Sequence, residues 1–256
     1  SDKIAPYEIE RNRIWKSPRK VVVINGSARG KNGHTYLYLK HFIEGMKSAG
    51  AFVEEIDIYD ANIKITSCLG CEACWSKNQN KCVLNDDANS IIEKINNAYL
   101  TIWAFPLFVD SVPAKVKALL DRFFVTIRPV FVPFKNITRH PLYIKKEKYI
   151  ALFSVCGFPE ISHLSPLKET FKHISQNCHA PIIANILRPS SQFLYKNPGC
   201  KFYLEKVFKN LNLAGREIVK KGKINKKVLE NIQSDFGIPK ETWLNYSNMY
   251  WRKSNG

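Results

Sequence analysis

No stretch of the chain approaches the roughly 20 consecutive apolar residues of a bilayer-spanning helix, so no membrane partner is expected. The start, Ser1-Asp2-Lys3, lacks the basic-then-apolar pattern of a secretion signal, so a soluble, cytoplasmic protein is the expectation. No internal repeat and no low-complexity tract occurs. Acidic residues are scarce: 22 Asp and Glu stand against 39 Lys and Arg, for a net charge of +17. Nucleic acid would use such a charge directly. The lysines are scattered, however, and form no basic arm. A Lys-rich surface that meets small anionic ligands is therefore preferred, and nucleic acid is disfavoured as a partner. The chain is also too long and too poor in cysteine for a secreted disulfide scaffold. Four of its 7 cysteines crowd between Cys68 and Cys82, while Cys156, Cys178 and Cys200 stand alone. Clustered cysteine in a cytosolic chain points to metal or redox chemistry. Hydrophobic residues make up 45% of the 256 residues, enough for a real core and against wholesale disorder.

Residues 1–19 are polar and read as an N-terminal extension, leaving 20–256 as a single domain. Val21-Val22-Val23-Ile24 is a short β-branched run closed by Asn25-Gly26-Ser27, the pattern of a buried parallel strand. From Thr35 to Ser48, Leu39, Phe42, Ile43 and Met46 fall at helical spacing before Gly50. Residues 53–59 alternate apolar and acidic side chains and read as an edge strand. A cysteine loop occupies about 64–85, and a helix opens at Asp86-Asp87. A third strand spans 99–105, and a helix from Pro113 to Phe124 follows with Ser111 as its cap. Residues 125–147, with three prolines among aromatics, read as an irregular insertion, a lid or an interface. Strands at 149–155 and 182–187 flank a helix over 165–176, and 201–236 reads as a helical C-terminal tail. This alternation predicts an α/β fold, a flavodoxin-like doubly wound five-stranded parallel sheet in three layers (α/β/α). Ligands then bind beyond the C-terminal strand ends, where the strand order reverses.

Three loops meet on that edge. The first, Asn25-Gly26-Ser27-Ala28-Arg29-Gly30, leads into a helix near His34-Thr35. Glycines, hydroxyls and a helix N-terminus suit phosphate, and Arg29 adds a charge. The loop matches neither G-x-G-x-x-G nor a Walker loop. The second is Phe105-Pro106-Leu107-Phe108-Val109-Asp110-Ser111, and the third is Cys156-Gly157-Phe158-Pro159. Together they could grip a phosphate and flank a flat ring. Trp75, Phe108, Phe131 and Phe134 are candidates to stack on it, and His140 could face the same pocket.

An ordered set of pieces now resembles a known family. They are Gly26-Ser27-Ala28-Arg29 with Thr35, Cys68-Leu69-Gly70-Cys71-Glu72-Ala73-Cys74-Trp75, Lys81-Cys82-Val83-Leu84-Asn85-Asp86-Asp87, Phe105-Pro106-Leu107-Phe108 and Lys117-Ala118-Leu119-Leu120-Asp121-Arg122. Over about residues 20–190 the chain resembles the NADPH-dependent FMN reductase and iron–sulfur flavoprotein group. The resemblance implies a flavodoxin-like domain with bound FMN, reduced by NADH or NADPH. It implies that Ser27, Arg29 and Thr35 hold the FMN phosphate, with His34 standing where the family often has Asn. It implies that Pro106, Leu107, Phe108 and Val109 line the isoalloxazine ring, and that Cys156, Gly157 and Phe158 sit near its pyrimidine edge. Ala28 stands where the family often has Pro, and Phe108 where it often has Tyr.

The cysteines are spaced C-x2-C-x2-C-x7-C, as Cys68, Cys71, Cys74 and Cys82. Relatives with a compact motif of this kind carry a [4Fe–4S] centre beside FMN. Zinc in a structural loop and metal-free packed thiols are the other two readings. The function expected first is an FMN-dependent NAD(P)H oxidoreductase that passes electrons to a quinone-like or other small acceptor. The flavin does the chemistry, so no acid–base residue is singled out. An alternative is an iron–sulfur flavoprotein, an electron carrier reduced by a ferredoxin-like donor. A non-enzymatic regulator or nucleic-acid-binding module ranks last. The family resemblance also implies a homodimer or homotetramer.

Overall fold

The computed structural model describes residues 15, 20–77, 80–134, 136–143 and 146–254. Of the expected N-terminal extension only Trp15 falls among them. Its indole N–H donates to the Val219 carbonyl, and its ring meets Tyr99 and Tyr149.

The elements run β1 (Lys20–Asn25), α1 (His34–Ser48), β2 (Phe52–Asp57), α2 (Ala73–Ser76), α3 (Ala88–Asn97), β3 (Leu100–Pro106) and α4 (Ala114–Asp121). A hairpin follows, β4 (Val132–Phe134) and β5 (Ile137–Arg139), then β6 (Tyr149–Val155), α5 (Ser165–Asn177) and β7 (Ile182–Arg188). Four helices close the described chain: α6 (Ser191–Lys196), α7 (Lys201–Lys221), α8 (Lys226–Gln233) and α9 (Lys240–Ser254). The main sheet is parallel, in the order β2-β1-β3-β6-β7. This is the flavodoxin-like order, with its reversal between β1 and β3.

The sequence pattern explains the layers. Val21 to Ile24 are at most 1% exposed, as a strand covered on both faces requires. Val21 and Val23 face one core, with α1, α7 and α8, while Val22 and Ile24 face the other, with α3, α4 and α5. Burying each Val, Leu, Ile or Phe there contributes roughly 1.5–3 kcal/mol. β2 is the wet edge. Glu54 faces Lys20 and Lys94, and Glu55 faces Lys47. Helices α1 and α7 cross at two glycines. A Cβ on Gly45 would lie 2.0 Å from the Asn212 carbonyl oxygen, and one on Gly215 would lie 2.1 Å from that of Phe42. Only hydrogen fits at that crossing.

Four expectations are corrected. The helix expected over 113–124 is α-helical only to Asp121, then tightens to a 3-10 turn over Arg122–Thr126. β-branched Val125-Thr126 disfavours continuation, and Arg122 is drawn to a buried partner described below. Ser111 does not cap that helix; it pairs with Phe108 in a turn, and Pro113 takes the cap position. The 125–147 segment, read as irregular, holds the β4–β5 hairpin. Three-residue strands are too short to show alternation, and Pro133 is tolerated because a two-stranded ribbon has only edges. Finally, the helical tail runs past 236 into α9, whose aromatic and Asn-rich sequence is a modest helix former.

Candidate functional site

The site is built on the C-terminal ends of β1, β3 and β6. At the end of β1, buried Asn25 organises the turn. Its Oδ1 accepts from the Ser27 N–H at 3.2 Å, and the Gly26 N–H donates to the Ala104 carbonyl of β3 at 2.7 Å. A Cβ on Gly26 would strike Val116 at 2.3 Å, and one on Gly33 would strike the Ser27 hydroxyl at 2.4 Å, so the loop is wrapped tightly. Ser27 and Thr35 are buried, and neither hydroxyl has a hydrogen-bond partner among the described residues. Helix α1 begins without a side-chain cap. The N–H groups of Ala28, Arg29, His34 and Thr35 likewise donate to no described acceptor. Two unspent donors in the loop and two at the N-terminus of the 15-residue helix suit an anion.

The charge around these donors is positive. Arg29 is exposed beside them. Burial lowers the proton affinity of His34, and the charges of Arg29 and Lys196 lower it further. The His34 ring lies 5.3 Å from that of Tyr195. Sequence reasoning missed Tyr195 and Lys196. They sit on α6, more than 160 positions downstream, and no local signal in SQFLYK marks them. The donors and charges fit a phosphate dianion.

The second loop departs from β3 at Pro106. The Leu107 N–H donates to the Val155 carbonyl, and Phe108 and Ser111 exchange two backbone hydrogen bonds of 3.0 Å. Between them Val109 (φ 46°) and Asp110 (φ 56°) both occupy the left-handed region. This is the geometry of a type I′ hairpin turn, which favours Asn-Gly. A β-branched valine there is strained by about 1–3 kcal/mol. Val109 is nevertheless 97% exposed, and Phe108 is 47% exposed. The turn is thus held in an unfavourable conformation with two apolar side chains in the open, on the same sheet edge as the first loop.

The third loop is fixed from behind. The Cys156 N–H donates to the Arg188 carbonyl, the Ser190 N–H to the Phe158 carbonyl, and the Ser191 hydroxyl to the Cys156 carbonyl at 2.9 Å. Gly157 and Phe158 are exposed, and a Cβ on Gly157 would meet nothing within 4 Å, so a flat ligand can approach that backbone closely. Cys156 differs from its neighbours. Its side chain is 4% exposed and belongs to the core, and burial pushes the thiol up to about 11. Its thiol faces away from the site, and its N–H and carbonyl are spent on Arg188 and Ser191. Phe158 stacks on His163 at 4.1 Å.

The four clustered cysteines are free thiols in one loop at the side of this edge. Burial raises the Cys74 thiol, and nearby Cys82, Cys68 and Cys71 raise it further. No three His, Cys, Asp or Glu side chains converge as ligands of one ion among the described residues. Zinc would draw its sulfurs to about 3.8 Å from one another. A four-iron cube spreads them wider, because each sulfur binds a different iron. Four cysteine thiolates are a donor set that either centre takes once their sulfurs converge.

Two devices missed in the sequence hold that loop. Arg122 and Asp86 form an ion pair only 1% and 4% exposed, with the guanidinium donating to both carboxylate oxygens at 2.7 and 3.0 Å. Arg122 also donates to the Thr66 carbonyl, and Asp86 accepts from the Thr66 N–H. Burial alone would raise the Asp86 carboxyl, but the bonds from Arg122 and Thr66 outweigh it and hold it below the usual carboxylate range. The second device is Trp75, whose indole N–H donates to the Phe124 and Ile127 carbonyls at 3.0 Å. His140 faces Trp75 and Phe131, and its Nδ1 lies 3.0 Å from the Arg128 and Val130 carbonyls, so it clasps the insertion. Phe134 lies under the Arg139 guanidinium at 3.6 Å. Of the four ring-stacking candidates, only Phe108 belongs to the three strand-end loops.

Comparison with known proteins bears on this arrangement. Residues 19–185 match the sequence family described as NADPH-dependent FMN reductase. An iron–sulfur flavoprotein of Methanocaldococcus jannaschii is 32% identical over 103 residues, 40% of this chain and 51% of that protein. The chain thus spans about half the length of the curated relatives it matches. Two solved structures share the fold. A NAD(P)H:quinone oxidoreductase from Methanothermobacter marburgensis has a TM-score of 0.58 at 15% identity, over 79% of this chain and 98% of that one. An FMN-dependent NADH-azoreductase from Bacillus anthracis, solved with FMN, has a TM-score of 0.55 at 15% identity, over 79% and 100%.

Proposed function

Because this chain belongs to the NADPH-dependent FMN reductase family, we propose that it is an FMN-dependent NAD(P)H oxidoreductase that delivers electrons to a quinone-like or other small acceptor. The observation that carries the reading is the uncapped N-terminus of α1 and the loop before it, with four unspent N–H donors and the exposed Arg29, on the same sheet edge as a strained and exposed apolar turn. FMN, when bound, supplies two-electron exchange with the nicotinamide.

The chain supplies position. The N–H groups of Ala28, Arg29, His34 and Thr35 and the Ser27 and Thr35 hydroxyls would hold the phosphate. The Arg29 guanidinium would balance its charge, and the His34 ring, kept neutral, could offer a hydrogen bond. Pro106, Leu107, Phe108 and Val109 would lie along one side of the ring, and the Gly157 and Phe158 backbone along its edge. The apolar side chains of Phe108, Val109 and Phe158 would exclude water from the reacting face. The Cys156 thiol, held protonated, is not placed to act as a nucleophile.

The test is direct. Purified protein should show a two-banded flavin spectrum and oxidise NADH or NADPH when a quinone is added. Arg29→Ala should weaken FMN binding about tenfold, the loss of one charge-assisted contact to phosphate. A protein that takes up no FMN would sink the reading.

A second reading concerns the cysteines. We propose a [4Fe–4S] centre on Cys68, Cys71, Cys74 and Cys82, supported by four free cysteines in one loop, three of them close enough to Cys74 to act on its thiol. Anaerobically purified protein should then contain close to four iron and four sulfide per chain; iron-free protein would overturn it. We further propose a homodimer or homotetramer, with the insertion as contact surface. Phe131 there is 74% exposed. Light scattering in solution tests it.

A further inference from the structure

The last helix gives the site a wall that the family match does not include. Residues 19–185 carry the match, while α9 begins at Lys240. Between α9, α6 and the exposed Gly157-Phe158 turn lies a slot of about 250 Å³. Its walls are aromatic: Phe158 at one end and Trp243, Tyr246, Tyr250 and Trp251 along α9. The slot is held open by fixed contacts. The Tyr246 hydroxyl donates to the Lys196 carbonyl at 2.6 Å, and Tyr246 meets Phe193 edge-on at 5.4 Å. At the near end of α9, Lys240 pairs with Glu160 of the third loop at 2.6 Å. Such bracing gives a slot formed before any ligand arrives, which lowers the ordering cost of binding.

One full charge lines the slot. The Lys196 ammonium lies 5.4 Å from the Tyr250 ring and pairs with no carboxylate among the described residues. Aromatic walls favour a flat ring. An unpaired cation at their margin favours an acidic substituent on that ring. Phe158 joins the slot to the third loop, the edge at which the flavin ring is proposed to lie.

We propose that this slot is the specificity pocket for the electron acceptor and selects planar aromatic molecules that carry an acidic group. The inference rests on the oxidoreductase reading for its biological meaning, but binding itself does not. Equilibrium dialysis of the FMN-loaded protein against anthraquinone-2-sulfonate and against neutral 2-(hydroxymethyl)anthraquinone separates the two. The sulfonate should bind about tenfold tighter than its neutral partner, the value of one partly desolvated charge contact. Lys196→Gln, in protein whose flavin content matches wild type by absorbance, should erase that preference. Tyr250→Ala and Trp251→Ala should weaken both compounds, and both variants lie at the solvent end of α9, away from the core. Equal binding of the two anthraquinones, or Tyr250→Ala and Trp251→Ala proteins that bind both normally, would overturn the proposal. If the sulfonate binds selectively but NADH and NADPH do not reduce it, the slot stands and the oxidoreductase reading fails for this acceptor. If reduction proceeds without selectivity, the slot falls alone.

Discussion

Val109 combines two costs in one residue: a left-handed backbone at φ 46° and a side chain 97% exposed. A position under no functional demand would carry Asn or Gly there. Val109→Asn should therefore raise stability by about 1 kcal/mol, measured by urea unfolding of the FMN-free protein. The same variant should weaken FMN binding, because the apolar contact to the ring is lost. A variant neither more stable nor weaker in binding would show that the strain serves nothing. The identity of this residue was legible in the sequence, as part of Phe105-Pro106-Leu107-Phe108-Val109-Asp110-Ser111. Its conformation was not, because Val gives no local hint of a type I′ turn. Cys156 shows the reverse. Its place in the third loop was read correctly, but which way the thiol faces depended on the β7 and α6 backbone packed behind it.

At the scale of elements, the cysteine loop depends on one buried pair. Asp86→Asn leaves the Arg122 guanidinium without its counter-charge and should cost about 3–5 kcal/mol. The pH sign follows from the lowered Asp86 carboxyl. Its contribution is full above the unfolded value of 3.8 and is lost as the pH falls below that, through the lower folded value. Thermal unfolding of wild type and Asp86→Asn should therefore converge in strong acid and diverge above about pH 4. Parallel curves would place the stabilisation elsewhere. The α1–α7 crossing makes a second prediction. Gly215→Ala puts a methyl group on the Phe42 carbonyl oxygen, with backbone on both sides and no side chain to yield. It should lower stability by about 1–3 kcal/mol in urea unfolding. A smaller loss would mean that the helices can separate cheaply.

For the whole molecule, the net charge of +17 bears on encounter and not on fold. A pyridine dinucleotide is anionic, so kcat/KM for NADH or NADPH should fall as salt rises from about 0.01 to 0.15 M, where the Debye length shrinks from about 30 to 8 Å. Steady-state assays over a salt series check it, and a flat response would mean that the charge lies away from the entry path. No helix among the described residues is long and apolar enough to cross a membrane.

The sequence alone determined the α/β alternation, the parallel sheet and the places of the three strand-end loops along the chain. Those features rest on local signals: β-branched runs, helical spacing, and glycine, proline and cysteine at short fixed intervals. It also marked Arg122 and Asp86 as members of motifs without marking them as partners. Only the tertiary structure decided that Lys196 and Tyr195 reach the α1 N-terminus, that Arg122 grips the cysteine loop, and that α9 walls a slot beside Phe158. Each of these joins residues dozens to more than a hundred positions apart. Periodicity reports which face of an element is apolar, whereas the choice of neighbour across such a distance is made by packing.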